Sequence, residues 1–390
     1  MYKEETMNNQ NEIANDFDSQ DETNEYFEKI DESSTPDITK PFDPTKINIT
    51  ITPLIVDSLI KRMKSNPPRI DLNTEFQRRR NLWKETAQSR FIESLLVRIP
   101  IPAFYFDGTD DENWKVVDGL QRLTTLKCFI IDKELKLHDL EFLSKFNNAG
   151  FDDLPAYLQG RIEETQITAF VINPGTPDDV KYNIFKRINT GGIALNPQEI
   201  RHALNQGLPA DYVSELAALP EFHKATQGKL LEHKRMDDKD LVTRFIAFYN
   251  GTSQYNTELD EYLNKTMMKL KQLSLPEREN IKSDFKKAMN AAFEIFGEYA
   301  FRKRINKDAP KNQLNKALFD ALSVNLAHLS EKNLKMLILQ KEIVNNKFIK
   351  LMNTDPEFIT SITQSTGNIK AVNKRFSEIK RLLNECLNDN

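Results

Sequence analysis

Cysteine is scarce in this sequence, which holds two among 390 residues. So few thiols argue against a disulfide framework and against a cysteine-based zinc cluster, and they favour a reducing compartment. We therefore expect a cytoplasmic protein. Cys128 falls in a predicted helix and is expected to be a core or half-buried thiol.

Several other signatures are missing. The five histidines include no pair at the i,i+4 spacing of a helical zinc site. The sequence has no Gly-x-Ser-x-Gly nucleophile turn and no Walker-type phosphate loop. No apolar run approaches the ~20 residues of a membrane span, and the acidic, asparagine-rich start is not typical of a signal peptide. We therefore expect no membrane partner.

Charge is present but unevenly distributed. Residues 1–45 carry 13 acidic and 3 basic side chains, a net charge of −10, which leaves 45 acidic and 51 basic groups for the rest. This acidic stretch has no apolar periodicity and is predicted to be a disordered tail. It would be either a solubilising segment or a DNA mimic that covers a basic groove. The mildly basic body is compatible with DNA as a partner.

The segment from Trp114 to Ile131 predicts a strand, a glycine turn and a helix. Residues 114–117 favour a strand, and apolar residues from 123 to 130 repeat at helical spacing. Between them, residues 118–122 read Asp-Gly-Leu-Gln-Arg. Glycine lets the backbone approach a ligand, and the first N–H groups of a helix have no partner within it. With the Arg122 guanidinium, these donors would bind a phosphate. The alternative is a tight turn with a solvated arginine.

The remaining patterns predict an α+β fold. Residues 46–210 form a mixed α/β domain in this prediction, and residues 211–390, where helical periodicity dominates, form an all-α domain. In the first domain we predict helices from Pro53 to Met63, Thr86 to Val97 and Pro177 to Ile188, another helix starting at Asn196-Pro197, and strands at Ala103–Phe106 and Gln166–Ile172. The first of these strands should form a hairpin with the strand that ends at Asp118.

Motifs in a fixed order resemble the N-terminal domain of GmrSD-type, modification-dependent restriction systems. Asp118–Leu126 is similar to that family's DGQQR-type motif, with Leu120 where glutamine is commoner. The other matching pieces are Phe76–Arg78 with Trp83, Ile99–Pro102, Phe185–Gly192, Asn196–Arg201, Arg235–Asp240 and Arg244–Phe248. The resemblance covers roughly residues 46–270 and implies a ParB/sulfiredoxin-like domain, in which a strand–turn–helix binds nucleotide phosphates.

Site residues follow from this resemblance together with the residue chemistry. Catalytic roles are expected for Asp118, Gln121 and Arg122, and Asp118 would also hold Mg²⁺. Nucleotide phosphates would contact Gln77, Arg78, Gly119, Arg187, Asn189, Thr190 and Arg201. Arg78 and Arg122 would neutralise charge on the transferred phosphoryl group, and Gln121 would orient water or read the nucleotide. Alternatively, Glu199 pairs with Arg201 or Arg187 and merely braces two helices.

Two functions of different classes remain open. In the first, the protein binds and hydrolyses a nucleoside triphosphate with Mg²⁺, as the regulatory component of an anti-phage DNA restriction system with a separate nuclease subunit. In the second, it is a non-catalytic module that senses DNA or a nucleotide through the same pocket. A third interpretation is a self-contained nuclease built on carboxylates. The histidine-centred nuclease motif of the partner half of GmrSD-type enzymes is not recognisable in this sequence.

Overall fold

Two compact units make up the protein in a computed structural model, which describes residues 26–32, 46–70, 72, 83–188, 196–228, 230 and 235–388. The α/β unit comprises residues 38–206, and the helical unit comprises residues 1–37 with 207–390. This division confirms the α+β fold class. It also shows that the helical unit is assembled from two separate stretches of chain.

A mixed four-stranded sheet organises the α/β unit. Its strands are β1 (Ile49–Ile55), β2 (Phe104–Asp107), β3 (Lys115–Asp118) and β4 (Gln166–Ile172), in the order β1-β4-β2-β3. β4 is antiparallel to β1 and parallel to β2, while β2 and β3 form an antiparallel hairpin. The predicted hairpin and the predicted bounds of β4 are confirmed.

Helices cover both faces of this sheet. They are α1 (Val56–Lys64), α2 (Glu85–Leu96), α3 (Leu120–Leu126), α4 (Ala156–Glu163), α5 (Asp178–Ile188) and α6 (Pro197–Leu204). A π-helical turn, Lys127–Ile131, continues α3. The larger apolar core joins one sheet face to α1–α4, and a smaller cluster joins the other face to α5 and α6.

The stretch around Pro53 is a strand, although the sequence predicted a helix that starts there. Every residue from Ile49 to Ile55 pairs with β4, and α1 begins at Val56. β1 is an edge strand, where proline is tolerated because only one side of the strand has to donate to the ladder. Pairing with a distant strand overrides the local helix-start signal.

The helical unit is all-α in its described residues, whose extended segments form isolated bridges only. The helices are α7 (Leu208–Ala217), α8 (Pro220–Thr226), α9 (Asp237–Phe248), α10 (Leu259–Leu270), α11 (Leu275–Phe296), α12 (Lys316–Ala327), α13 (Glu331–Leu339), α14 (Lys341–Thr354), α15 (Pro356–Ser361) and α16 (Ile369–Asn388). Among the described residues of the whole chain, no helix has the length and apolar character that a membrane span requires.

Residues 26–32 pack into the helical unit, although the sequence predicted a disordered tail over residues 1–45. The N–H of Glu28 donates to the Leu314 carbonyl at 2.8 Å. The Phe27 side chain is 6% exposed within the core of the unit, and the Glu32 carboxylate accepts from Arg244 Nη1 at 2.7 Å. The predicted disorder therefore does not apply to this short segment, because apolar burial and ion pairing offset its loss of chain entropy. The rest of the tail lies outside the described residues.

Removing the Glu32 carboxylate should loosen this segment measurably. We expect Glu32→Ala to lower the unfolding free energy of the helical unit by about 1 kcal/mol, since one charge-assisted hydrogen bond to a buried arginine is lost at a half-exposed position. Denaturant titration measures the difference. Lys29→Ala, at an exposed position of the same segment, is the matched control and should change nothing. Equal stabilities of the Glu32→Ala variant and the parent would contradict the anchoring role.

Candidate functional site

The turn at Asp118–Gly119 joins β3 to α3. Gly119 has φ 98°, in the left-handed region, and a Cβ at this position would lie 2.4 Å from Cδ1 of Phe104. Both the backbone angle and the close approach require glycine. The first backbone bond of α3 runs from the Leu123 N–H to the Gly119 carbonyl at 2.9 Å. The preceding N–H groups, of residues 120–122, therefore lie at the positive end of the helix, where an anion is favoured.

Arg122 is buried beneath this turn and bonded to the protein. Its Nη1 donates to the Pro102 carbonyl, and its Nη2 donates to the Ala103 carbonyl at 3.2 Å and to Asp118 Oδ2 at 3.0 Å. Its Cζ lies 4.5 Å from the centre of the Phe104 ring. The sequence assigned this guanidinium to a phosphate, but the structure directs it to two backbone carbonyls and to Asp118. Arg122 is therefore a positioning residue in this geometry.

Two neighbours offset part of the desolvation of Arg122. Burial lowers the pKa of the guanidinium, while Asp118 and the phenol of Tyr105 act in the opposite direction. The Asp118 side chain itself is 36% exposed. A half-exposed carboxylate is thus fixed beside the N-terminal end of α3, where it can meet a ligand from solvent.

The other predicted site residues fall into three groups. Gln121 is half-buried on the first turn of α3, and Arg187 is exposed on the last turn of α5. Arg201 is buried in α6, where its Nε donates to Gln198 Oε1 at 2.8 Å. The remaining residues, Gln77, Arg78, Asn189 and Thr190, lie outside the described residues.

The predicted helix start at Asn196-Pro197 is confirmed, and the Glu199 side chain takes part in capping this helix. The Glu199 N–H donates to Asn196 Oδ1 at 2.8 Å, and the Asn196 N–H donates to Glu199 Oε2 at 2.7 Å. This reciprocal capping box fixes the first turn of α6. The cluster that holds α5 and α6 on the sheet includes Val117, the residue before Asp118, so both helices share the sheet face next to the turn.

Sequence reasoning missed a buried ion pair on the same sheet face. Lys181 Nζ lies 3.4 Å from Asp107 Oδ2 and donates to Thr109 Oγ1 at 2.6 Å. Both charged side chains are buried, and they fix α5 to the C-terminal end of β2. In the sequence, Asp107 followed by Gly108 resembles an ordinary turn. Lys181 stands next to the apolar residues of a predicted helix, where a lysine is usually solvent-exposed. Neither residue carried a signal that could have revealed the pair.

Two aspartates of the Arg235–Asp240 motif form ion pairs within the helical unit. Lys316 Nζ donates to Asp237 Oδ1 at 3.2 Å and to Asp240 Oδ2 at 2.9 Å. Burial lowers the pKa of Lys316, but the carboxylates of Asp240, Asp237 and Glu32 together raise it above its usual value, so the ammonium stays charged. This part of the resemblance therefore corresponds to ion pairs that join α9 to α12.

Comparison with known proteins identifies the domain that carries the turn. A family model described as the GmrSD restriction endonuclease, N-terminal domain, matches residues 56–206. No curated protein and no solved structure matches the chain. The matched range runs from α1 to just beyond α6 and contains the Asp118–Arg122 turn, Arg187 and Arg201. Residues 56–206 therefore belong to the GmrSD N-terminal domain family.

Proposed function

We propose that this protein is the component of an anti-phage DNA restriction system that binds and hydrolyses a nucleoside triphosphate, acting with a separate nuclease subunit. Membership of the GmrSD N-terminal domain family indicates a restriction-system component. The nucleotide chemistry and the nuclease partner go beyond that membership, and they rest on the geometry of the Asp118–Gly119 turn.

The observation that carries the proposal is the half-exposed Asp118 carboxylate at the N-terminal end of α3. One of its oxygens is fixed by Arg122 at 3.0 Å, so the carboxylate has a defined orientation. The backbone N–H groups that follow Gly119, at the start of α3, would supply donors for a phosphate. A carboxylate and an anion-binding turn within five residues combine the two groups that phosphoryl chemistry needs.

The residues of this turn suit Mg²⁺. Mg²⁺ is commonly held by one or two carboxylates together with substrate phosphates and water, rather than by a cage of protein ligands. Asp118 would be its protein ligand, and in the described residues no group of three histidine, cysteine, aspartate or glutamate side chains forms such a cage. When bound, the ion would offset negative charge on the phosphates. Gln121 would orient the attacking water, and Arg122 would hold Asp118 in place.

Asp118→Asn should abolish phosphate release while nucleotide binding stays within a few-fold of the parent. The amide keeps the shape and one acceptor for Arg122, but it removes the charge that holds Mg²⁺. A colorimetric phosphate assay with each nucleoside triphosphate and Mg²⁺ measures turnover, and calorimetry measures binding. Asp111→Asn, at an exposed carboxylate in the β2–β3 turn, is the matched control. Undiminished hydrolysis by a folded Asp118→Asn variant would show that Asp118 is not a catalytic residue.

A second candidate function is a non-catalytic module that senses a nucleotide or DNA. The hydrogen bonds of Arg122 favour this second function. Its guanidinium donates to the Pro102 and Ala103 carbonyls, and therefore cannot also contact the negative charge that develops on a phosphoryl group. The same two assays separate the candidates. Nucleotide binding without phosphate release by the parent protein would select the sensor, whereas release that depends on Asp118 would select the enzyme.

A further inference from the structure

An arginine without a polar partner lies in the last turn of α1. The Arg62 side chain is half-buried, and in the part of the chain that the structure describes it forms neither a hydrogen bond nor an ion pair. Its Cζ lies 3.9 Å from the centre of the Trp114 ring. A guanidinium stacked on an aromatic ring carries its five N–H donors around its perimeter. The donors of Arg62 can therefore bind a ligand while the ring holds the group in place.

The charge that acts on Arg62 has the same sign as its own. Burial lowers the pKa of this guanidinium, and the positive charge of Arg69 lowers it further. Arg69 is exposed and, within the described ranges, also has no ion pair; the acidic turn at 110–112 contributes none to either arginine. A partly desolvated cation beside a like charge is unfavourable unless an anion compensates it.

The backbone fixes the positions of both arginines. The Arg69 N–H donates to the Arg62 carbonyl at 2.9 Å, and the Trp114 N–H donates to the Arg69 carbonyl at 2.8 Å. The Ser65 hydroxyl donates to the Arg62 carbonyl at 2.8 Å and accepts from the Arg69 N–H at 2.9 Å. Ile70, the next residue, forms a parallel bridge with Trp114. Arg62 and Arg69, the arginine pair, are thus tied to each other and to the start of β3.

The arginine pair is separate from the candidate nucleotide site. Trp114 immediately precedes β3, whereas Asp118 is the last residue of that strand. Four residues of extended chain between them span roughly 13 Å. The turn that would hold the nucleotide and the arginine pair therefore lie at opposite ends of β3, and the arginine pair has no part in the proposed hydrolysis.

We propose that the arginine pair binds phosphate groups of the DNA backbone, with Trp114 holding the Arg62 guanidinium flat. The planar fork of an arginine matches two oxygens of a phosphate, and a DNA strand offers such groups in series. The choice of DNA follows from membership of a restriction-system family. Phosphate contacts fix the position of a protein on a duplex without reading its sequence. The arginine pair should therefore contribute equally on every DNA sequence.

The test measures binding of a short, fluorescently labelled duplex to the full chain over a series of salt concentrations. The logarithm of the affinity falls linearly with the logarithm of the salt concentration, and the slope reports how many phosphates the protein neutralises. Arg69→Ala should weaken binding about tenfold and reduce the slope by about one. Arg62→Met should do the same, because methionine keeps an apolar cover on Trp114. Arg69→Lys keeps the charge and should retain the slope of the parent.

Lys136→Ala is the matched control, since it removes one positive charge at an exposed lysine of the same unit. It should change neither the affinity nor the slope. An equal loss in this variant would show an effect of net charge rather than a site. Unchanged affinity and slope in Arg69→Ala and in folded Arg62→Met would overturn the inference.

Two further measurements separate this site from the nucleotide site. Calorimetry with a nucleoside triphosphate and Mg²⁺ should give the same affinity for the parent and Arg69→Ala. Weaker nucleotide binding with DNA binding intact would assign the arginine pair to nucleotide phosphates and reject the DNA contact. Asp118→Asn should bind the duplex as the parent does, whatever its turnover. A parent protein that does not bind the duplex at low salt would reject this inference and leave the proposed hydrolysis standing.

Discussion

Replacing Asp320 with alanine is expected to lower the unfolding free energy of the helical unit by roughly 3–5 kcal/mol, the usual cost of leaving buried charges without a partner. For a unit of this size, that loss corresponds to a fall in melting temperature on the order of 10 °C. Thermal unfolding followed by circular dichroism measures it.

The reason lies in two arginines that share this carboxylate. Arg244 Nε and Nη2 donate to the two oxygens of Asp320 at 2.9 and 2.8 Å, and Arg375 Nη2 donates to one of them at 3.1 Å. All three side chains are buried. Burial lowers the pKa of Arg375, with Asp320 acting against it, so removal of the carboxylate leaves a guanidinium with a high desolvation cost.

Two further variants sharpen this test. Asp308→Ala, at an exposed carboxylate of the same unit, should leave the melting temperature unchanged. Asp320→Asn keeps the shape and one acceptor, and should fall between the alanine variant and the parent. A melting temperature for Asp320→Ala within a degree or two of the parent would show that the three-residue cluster contributes little to stability.

Gly119→Ala should destabilise the α/β unit by roughly 2–4 kcal/mol, the sum of left-handed backbone strain and overpacking. The added methyl group would meet Cδ1 of Phe104 at 2.4 Å, and Phe104 is fully buried, so its ring has little room to move. Denaturant unfolding of the α/β unit measures the loss.

Gly175→Ala is the matched control, because Gly175 has φ 88° in the same unit and its added Cβ would meet nothing within 4 Å. It should show the backbone strain alone, about 1 kcal/mol. The double variant Gly119→Ala with Phe104→Leu should recover part of the overpacking term. Equal losses of unfolding free energy in the Gly119→Ala and Gly175→Ala variants would show that the contact with Phe104 does not add to the destabilisation.

The features of the site that depend on residues close in sequence could be predicted from the sequence alone. β-forming residues and the intervening turn predicted the β2–β3 hairpin, and Asn196-Pro197 predicted the start of α6. The glycine between strand and helix gave the turn, because a left-handed residue there leaves few other choices. These features depend on neighbours within a few residues, which a single sequence contains.

Distant partners account for what the sequence could not reveal. Pro53 lies in a strand only because β4, far along the chain, pairs with it. Arg122 turns inward because the Pro102 and Ala103 carbonyls come to lie beneath it. Glu32 fell within the predicted disordered tail, since nothing near it in the sequence indicates Arg244 as a partner. In each case the deciding contact joins residues whose proximity only the tertiary fold creates.

The position of residues 26–32 has a consequence for synthesis on the ribosome. Their partners Leu314, Arg244 and Thr366 are translated long after them, whereas the whole α/β unit is made in between. Because domains generally fold in the order in which they emerge, the α/β unit can fold cotranslationally while Phe27 still has no pocket. The helical unit can close only when α16 has left the exit tunnel. A ribosome that stalls before α16 is made would therefore hold a folded α/β unit beside helices that still expose their core.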